Sequence, residues 1–152
     1  MRIFGLLVIA TSLLFLAGCK KHDAEEQAAI DDQLIQDYLI ANNLVADKDP
    51  SGVYVIIDQQ GAGPECNSTS DVRVAYTGYF LDGEIFDGSN SQGITFNLGG
   101  VIEGWRIGIP YFREGGSGKL LIPSGLAYGP NGQGSIPGNA VLIFDIDLVE
   151  VL

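Results

Sequence analysis

A carboxylate beside an aromatic ring, Phe86-Asp87, closes the run Val74-Ala75-Tyr76-Thr77-Gly78-Tyr79-Phe80-Leu81-Asp82-Gly83-Glu84-Ile85. Further on, Val101-Ile102-Glu103-Gly104-Trp105 brings the only tryptophan, followed by Leu126-Ala127-Tyr128-Gly129 and then Phe144. These segments share aromatic and aliphatic side chains, very few charges and no usual catalytic base. His22 is the only histidine and lies near the start of the chain. A Ser-His-Asp triad and a His-rich metal site are therefore excluded from the folded part. Asp71, Asp82 and Asp87 do not fall at calcium-loop spacing. Gly99-Gly100 and Gly115-Gly116-Ser117-Gly118 carry no P-loop Lys-Ser/Thr and read as turns. The chemistry left is that of a dry, aromatic-lined pocket, with no nucleophile, no metal and no cofactor expected.

Such a pocket must be held by the elements that carry it. Val53–Ile57 is a β-rich run, and Val72–Thr77 alternates with Val72, Val74 and Tyr76 on one side. Asp82-Gly83 is a hairpin signal suited to a type I′ turn. Lys119–Pro123 is a further strand. In Val141–Leu148, Leu142, Phe144, Ile146 and Leu148 point one way, Asp145 and Asp147 the other. An antiparallel sheet with one wet face follows. Ile102, Trp105, Arg106 and Ile109 have helical spacing. Gly104 and Gly108 each cost that helix about 1 kcal/mol against alanine, so it needs tertiary packing. Pro110 ends it at the preceding residue. The expected fold is α+β: an antiparallel half-barrel sheet wrapped around one short helix, preceded by an N-terminal helix over Glu25–Asn43. In that first helix Ile30, Leu34 and Leu39 share a face, with Ile35 and Tyr38 adjoining. Asp23 is its expected N-cap, with Glu26 three residues on. The helix is expected to pack on its own domain; the other reading is an arm for a weak dimer.

The start of the chain has its own grammar. After Arg2, Ile3 to Leu16 is almost purely apolar, shorter than the roughly 20 residues of a spanning helix. Leu16-Ala17-Gly18-Cys19 then resembles a bacterial lipobox, which implies cleavage before Cys19 and lipidation of it. The expected divisions are a signal peptide over 1–18, a lipidated tether and amphipathic helix over 19–50, and one domain over 51–152. Lys20–Glu26 is polar and expected to be disordered. Anchoring through buried acyl chains points to the cell envelope of a bacterium, with the outer membrane, facing periplasm or surface, as the expected place. An acylated Cys19 leaves Cys66 without a partner in the chain, in a stretch that reads as a loop. The formal net charge is −11, and −12 once the leader with its single Arg2 is removed. Nucleic-acid binding, which needs clustered Lys and Arg, is excluded.

The ordered set Tyr76-Thr77-Gly78, Asp82-Gly83, Phe86-Asp87, Phe96-Asn97-Leu98-Gly99, Val101-Ile102-Glu103-Gly104-Trp105, Ile122-Pro123, Leu126-Ala127-Tyr128-Gly129, Ile136-Pro137 and Leu142-Ile143-Phe144-Asp145 resembles the FKBP-type peptidyl-prolyl cis-trans isomerases, over about residues 51–152. The resemblance implies a prolyl pocket of Tyr76, Phe86, Asp87, Ile102, Trp105, Tyr128 and Phe144, with Val101, Phe96 and Ile136 binding substrate. Trp105 would be the floor, and Tyr76, Phe86 and Phe144 the walls. The Ile102 N–H and the Tyr128 hydroxyl would bond peptide carbonyls, with Asp87 at the rim. The implied function is isomerisation of X–Pro bonds in proline-containing polypeptides, here exported proteins; the alternative is a proline-peptide-binding chaperone module without turnover. The arginine that many members place a few residues after this Asp is missing from Gly88-Ser89-Asn90-Ser91-Gln92-Gly93. Ser, Tyr or backbone groups are expected to hold Asp87 instead.

Overall fold

The computed structural model describes residues 14–152, with side chains described from His22 onward. Most of the expected leader, and the side chain of Cys19, lie outside the described residues. The chain runs through helix α1 (Leu14–Ala41), strands β1 (Asp47–Lys48), β2 (Tyr54–Gln59), β3 (Asp71–Tyr79), β4 (Ile85–Gly88) and β5 (Ile94–Asn97), helix α2 (Glu103–Gly108), and strands β6 (Ser117–Ile122) and β7 (Leu142–Val151). The sheet is antiparallel throughout, in the order β1-β2-β6-β7-β3-β4. Strand β5 shares one edge of β3 with β4: β4 pairs with Thr77–Tyr79, and β5 pairs with Asp71–Val74. Strands β1 and β5 were not expected from the sequence, being two and four residues long.

The inward faces follow the alternation of the sequence. Val72 and Val74 of β3 and Leu142, Phe144, Ile146 and Leu148 of β7 join Trp105 and Ile109 in one core. Cys66 belongs to the same core, as a buried free thiol whose pKa burial pushes up. Pro110 acts as expected: α2 stops at Gly108, and a single 3₁₀ turn, Ile109–Tyr111, carries the proline in its first positions.

The glycines of α2 prove to be a requirement of packing. A Cβ on Gly104 would lie 2.3 Å from Ile122 Cγ2, and one on Gly108 would lie 2.6 Å from Leu120 Cδ2. Both neighbours are fully buried. Helix propensity alone says Gly104→Ala should stabilise by about 1 kcal/mol. The packing reverses the sign: we expect a loss of about 1–3 kcal/mol, read as a lower denaturant midpoint. An unchanged or raised midpoint contradicts the close approach of α2 to β6.

Three expectations are corrected. The Asp82-Gly83 turn is not type I′. Only Gly83 has positive φ (89°); Gly83 N–H donates to the Phe80 carbonyl and Phe80 N–H to the Glu84 carbonyl, each at 2.9 Å. This is a three-residue loop with a left-handed glycine at its end, further fixed by the Asp82 carboxylate, which accepts from Glu84 N–H at 2.9 Å. Next, α1 begins well before Glu25, so Lys20–Glu26 is helical and Asp23 lies inside the helix. No Gly or Pro interrupts Lys20–Ala41, and i,i+4 bonds from Gln27 to Asp31, Gln33 to Asp37 and Gln36 to Asp32 support it. The helix ends with Asn43 in the left-handed region (φ 54°) and Leu44 N–H on the Leu39 carbonyl at 2.9 Å, a Schellman cap.

The last correction concerns the outer face of the sheet, which is not simply wet. Ile35 and Leu39 of α1 pack there on Tyr54, Leu121, Val141 and Ile143 as a second core. The inward stripe of α1 is Asp31, Ile35 and Leu39, while Ile30 and Leu34 are exposed. An apolar pattern alone could not select this register, because the first of its inward residues is a carboxylate. Beyond α1 the outer face is polar, with Lys119 bonded to Asp145.

Candidate active site

Strands β3, β4, β5 and β7, helix α2 and the loops beside them deliver side chains to a cavity of about 480 Å³, within the range of small-molecule pockets. Tyr76 comes from β3 because it continues the inward alternation of Val72 and Val74. Asp87 comes from β4, Phe96 from β5, Phe144 from β7 and Trp105 from α2. Val101 and Ile102 lead into α2, and Ala127 and Tyr128 follow a 3₁₀ turn over Ser124–Leu126. The rings of Tyr76, Phe96 and Phe144 stand at 88°, 80° and 81° to the indole of Trp105, with centroids 5.0, 5.2 and 5.3 Å away. They are walls to its floor, in the edge-to-face geometry aromatic pairs prefer.

Eight of the ten residues expected at the pocket line the cavity. Phe86 and Ile136 do not. Phe86 sits behind the wall, between Phe80 (4.9 Å) and Phe144 (5.7 Å). Ile136 is turned onto the core by a tight turn in which Gln133 and Ile136 exchange backbone N–H···O bonds at 2.9 Å. That same turn brings Gln133 to the cavity. Gln133, Gly100 and Ala127 are lining residues the sequence did not single out; an amide in a glycine-rich loop and two side chains of one atom or none give no signal of their own.

The polar groups are few and defined. Asp87 Oδ2 accepts from the Tyr76 hydroxyl at 2.8 Å, and Oδ1 accepts from the N–H of Gly88 at 2.8 Å. A tyrosine and a backbone amide thus hold the carboxylate, as two of the expected alternatives. Ser89 serves Tyr76 instead: its Oγ accepts from the Tyr76 N–H at 3.0 Å and donates to the Asn90 carbonyl at 2.9 Å. Among the described residues neither the Ile102 N–H nor the Tyr128 hydroxyl has a protein partner. Two directional groups of cavity-lining residues are therefore left without a protein partner among the described residues. No group of three or more His, Cys, Asp or Glu that could hold a metal occurs among the described residues.

Burial first, and then the hydrogen bond and charge of Asp87, push the Tyr76 phenol well above its ordinary 10.0. Burial and Asp145 do the same for Tyr79, and burial with the charge of Asp87 for Tyr128. With folded-state pKa values raised, the unfolded chain gives up these protons first. The stabilisation is complete below pH 10 and is lost as pH rises beyond it. Denaturant midpoints should therefore hold level to about pH 8, start to fall as the unfolded chain's Cys66 thiol ionises, and fall more steeply above about pH 10, with a shallower fall at that end for Tyr76→Phe. An equally steep fall in that variant contradicts the assignment.

A half-barrel sheet closed on one short helix, with an aromatic cavity between them whose one carboxylate is held by Tyr76, defines the class by its architecture. The family model for FKBP-type peptidyl-prolyl cis-trans isomerases matches residues 63–149. The chain belongs to this family. It is 38% identical over 138 residues to the FKBP-type peptidyl-prolyl cis-trans isomerase FkpA of Aeromonas hydrophila, covering 86% of this chain and 50% of that one. The crystal structure of FkpA from Escherichia coli superposes with a TM-score of 0.72 at 32% identity, covering 86% of this chain and 63% of that one. A peptidyl-prolyl cis-trans isomerase of Pseudomonas syringae pv. tomato gives 0.70 at 29%, covering 84% and 94%. The chain spans about half the length of the curated relatives it matches. No helix among the described residues is long and apolar enough to cross a membrane.

Proposed function

We propose that this chain is a peptidyl-prolyl cis-trans isomerase of exported proteins. Turning an amide costs about 18–20 kcal/mol because resonance must be broken. Both isomers of an X–Pro bond are populated and exchange in tens of seconds or longer. The twisted amide has lost charge separation, so an apolar cavity favours it over the planar forms, and no covalent step is needed. In this reading the prolyl ring rests on Trp105 between Tyr76 and Phe144. The Ile102 N–H and Tyr128 O–H donate to peptide carbonyls, and Asp87, held by Tyr76, makes the polar rim. The observation that carries the proposal is those two unpartnered donors on residues that line the same cavity as Tyr76, Phe96, Trp105 and Phe144.

The full chain, kept in mild detergent because its first residues are apolar, should accelerate cis–trans exchange in a short X–Pro peptide. Folded protein that leaves the exchange rate unchanged sinks the proposal. If that protein still binds the peptide, the binding-module reading takes its place; the exposed Asp87, without an arginine partner, is what favours that alternative.

The lipobox-like Leu16-Ala17-Gly18-Cys19 is what supports placing the domain in the bacterial envelope, tethered by a lipid on Cys19. Mass spectrometry of the protein from a bacterial host should find an N-terminal Cys19 carrying acyl chains. An unmodified or differently cleaved N-terminus removes the tether. A weak dimer through α1 would use the exposed Ile30 and Leu34.

A further inference from the structure

Asp31 is fully buried in the middle of α1 and faces Ser124, which is 2% exposed. Its Oδ2 accepts from the Ser124 N–H at 2.8 Å and from the Ser124 Oγ–H at 2.6 Å. Its Oδ1 accepts from Gln27 Nε2 at 2.8 Å. Packing alone does not ask for this residue. Burying a carboxylate is costly unless donors satisfy it, whereas an apolar side chain would continue the stripe of Ile35 and Leu39. Both bonds of Oδ2 end on the first residue of one 3₁₀ turn, Ser124–Leu126. That turn is closed by Leu126 N–H on the Pro123 carbonyl at 2.9 Å and Ala127 N–H on the Ser124 carbonyl at 3.0 Å. Ala127 and Tyr128, which come next, line the cavity. The Tyr128 hydroxyl has no protein partner of its own among the described residues, so its placement rests on the packing of the ring against the core and on the backbone that carries it.

The geometry points to Asp31 as a positioning residue: through Ser124 it fixes the segment that presents Ala127 and Tyr128 to the peptide, and it makes α1 a working part of the site. The effect on turnover rests on the isomerase reading; the effect on Tyr128 does not.

Asp31→Ala and Leu39→Ala should be compared in the full chain, at a temperature where both are folded. Leu39 belongs to the apolar packing of the same helix on the sheet. Asp31→Ala should lower kcat/KM by about tenfold, the scale of a reacting group slightly misplaced from a distance. It should also move the ¹⁹F resonance of fluorotyrosine at position 128, assigned by its loss in Tyr128→Phe. Leu39→Ala should lower Tm while leaving both readings at wild-type values. If Asp31→Ala does not fold, Ser124→Ala, which keeps the backbone bond, should show smaller changes of the same sign. An unmoved Tyr128 resonance, or equal changes in Leu39→Ala, overturns the inference. Should wild-type protein show no acceleration, the isomerase reading fails, and the Tyr128 resonance alone decides the role of Asp31.

Discussion

Trp105→Ala is expected to lose about 3–5 kcal/mol of folding stability, the cost of emptying a large buried aromatic site, and its acceleration of prolyl exchange with it. Trp105 is 4% exposed and stands at the junction of core and cavity. Removing it takes away three near-perpendicular ring contacts, each worth about 0.5–1.5 kcal/mol beyond burial. It also opens the floor to water, which raises the polarity of a site that works by being dry. The two losses are separable with Trp105→Phe. The indole Nε1 is buried and has no hydrogen-bond partner among the described residues, a penalty of about 1–3 kcal/mol that phenylalanine does not carry. Trp105→Phe should therefore be less destabilised than its lost volume suggests, with a shallower floor and reduced turnover. Denaturant titration and a peptide exchange assay at low temperature measure both. A folded Trp105→Ala variant with full activity would contradict the pocket assignment.

The second large effect is expected far from the cavity mouth. Ile35→Ala should cost about 2–5 kcal/mol, since Ile35 is fully buried against the outer face of the sheet. If α1 is part of one cooperative unit, fluorescence of Trp105 and helical circular dichroism will fall together in the variant, only at a lower denaturant concentration. If α1 is merely a tether, helicity will be lost in an earlier, separate step and the Trp105 transition will stay where it is in the wild type. The packing of Ile35 and Leu39 on Tyr54, Leu121, Val141 and Ile143 predicts the first outcome, because detaching the helix would wet residues that are otherwise closed to solvent.

Much of the fold was legible because its signals are local. Alternation in Val72–Tyr76 and Leu142–Leu148 sets the inward faces, and Pro110 sets the end of α2. What stayed hidden depends on partners distant in the chain. The two-residue strand β1 exists through its pairing with β2, and β5 through its pairing with β3. The inward register of α1 is decided by Ser124, 93 positions from Asp31. Trp105, Tyr76 and Phe144 could be named for the cavity through the family resemblance, whereas the third ring around the indole is Phe96 and not the expected Phe86. Phe86 and Ile136 pack beside the cavity residues without lining the cavity, and being next to a cavity and facing it are not separable in one dimension. The absence of an arginine after Asp87 was visible in the sequence; that the Tyr76 hydroxyl takes up the carboxylate was not, since it needs the pairing of β3 with β4 to bring them to 2.8 Å.

Cys66 gives this molecule a built-in clock. Its thiol is buried in the main core and held in the unreactive, protonated form by that burial. It is one of two cysteines, and Cys19 is the residue proposed to be blocked by lipid. The speed at which a thiol reagent labels Cys66 in native buffer therefore times the openings of the core itself. A peptide that closes the cavity over Trp105 should slow that labelling, so occupancy can be followed on the unaltered protein, without a chromophore or an added tag.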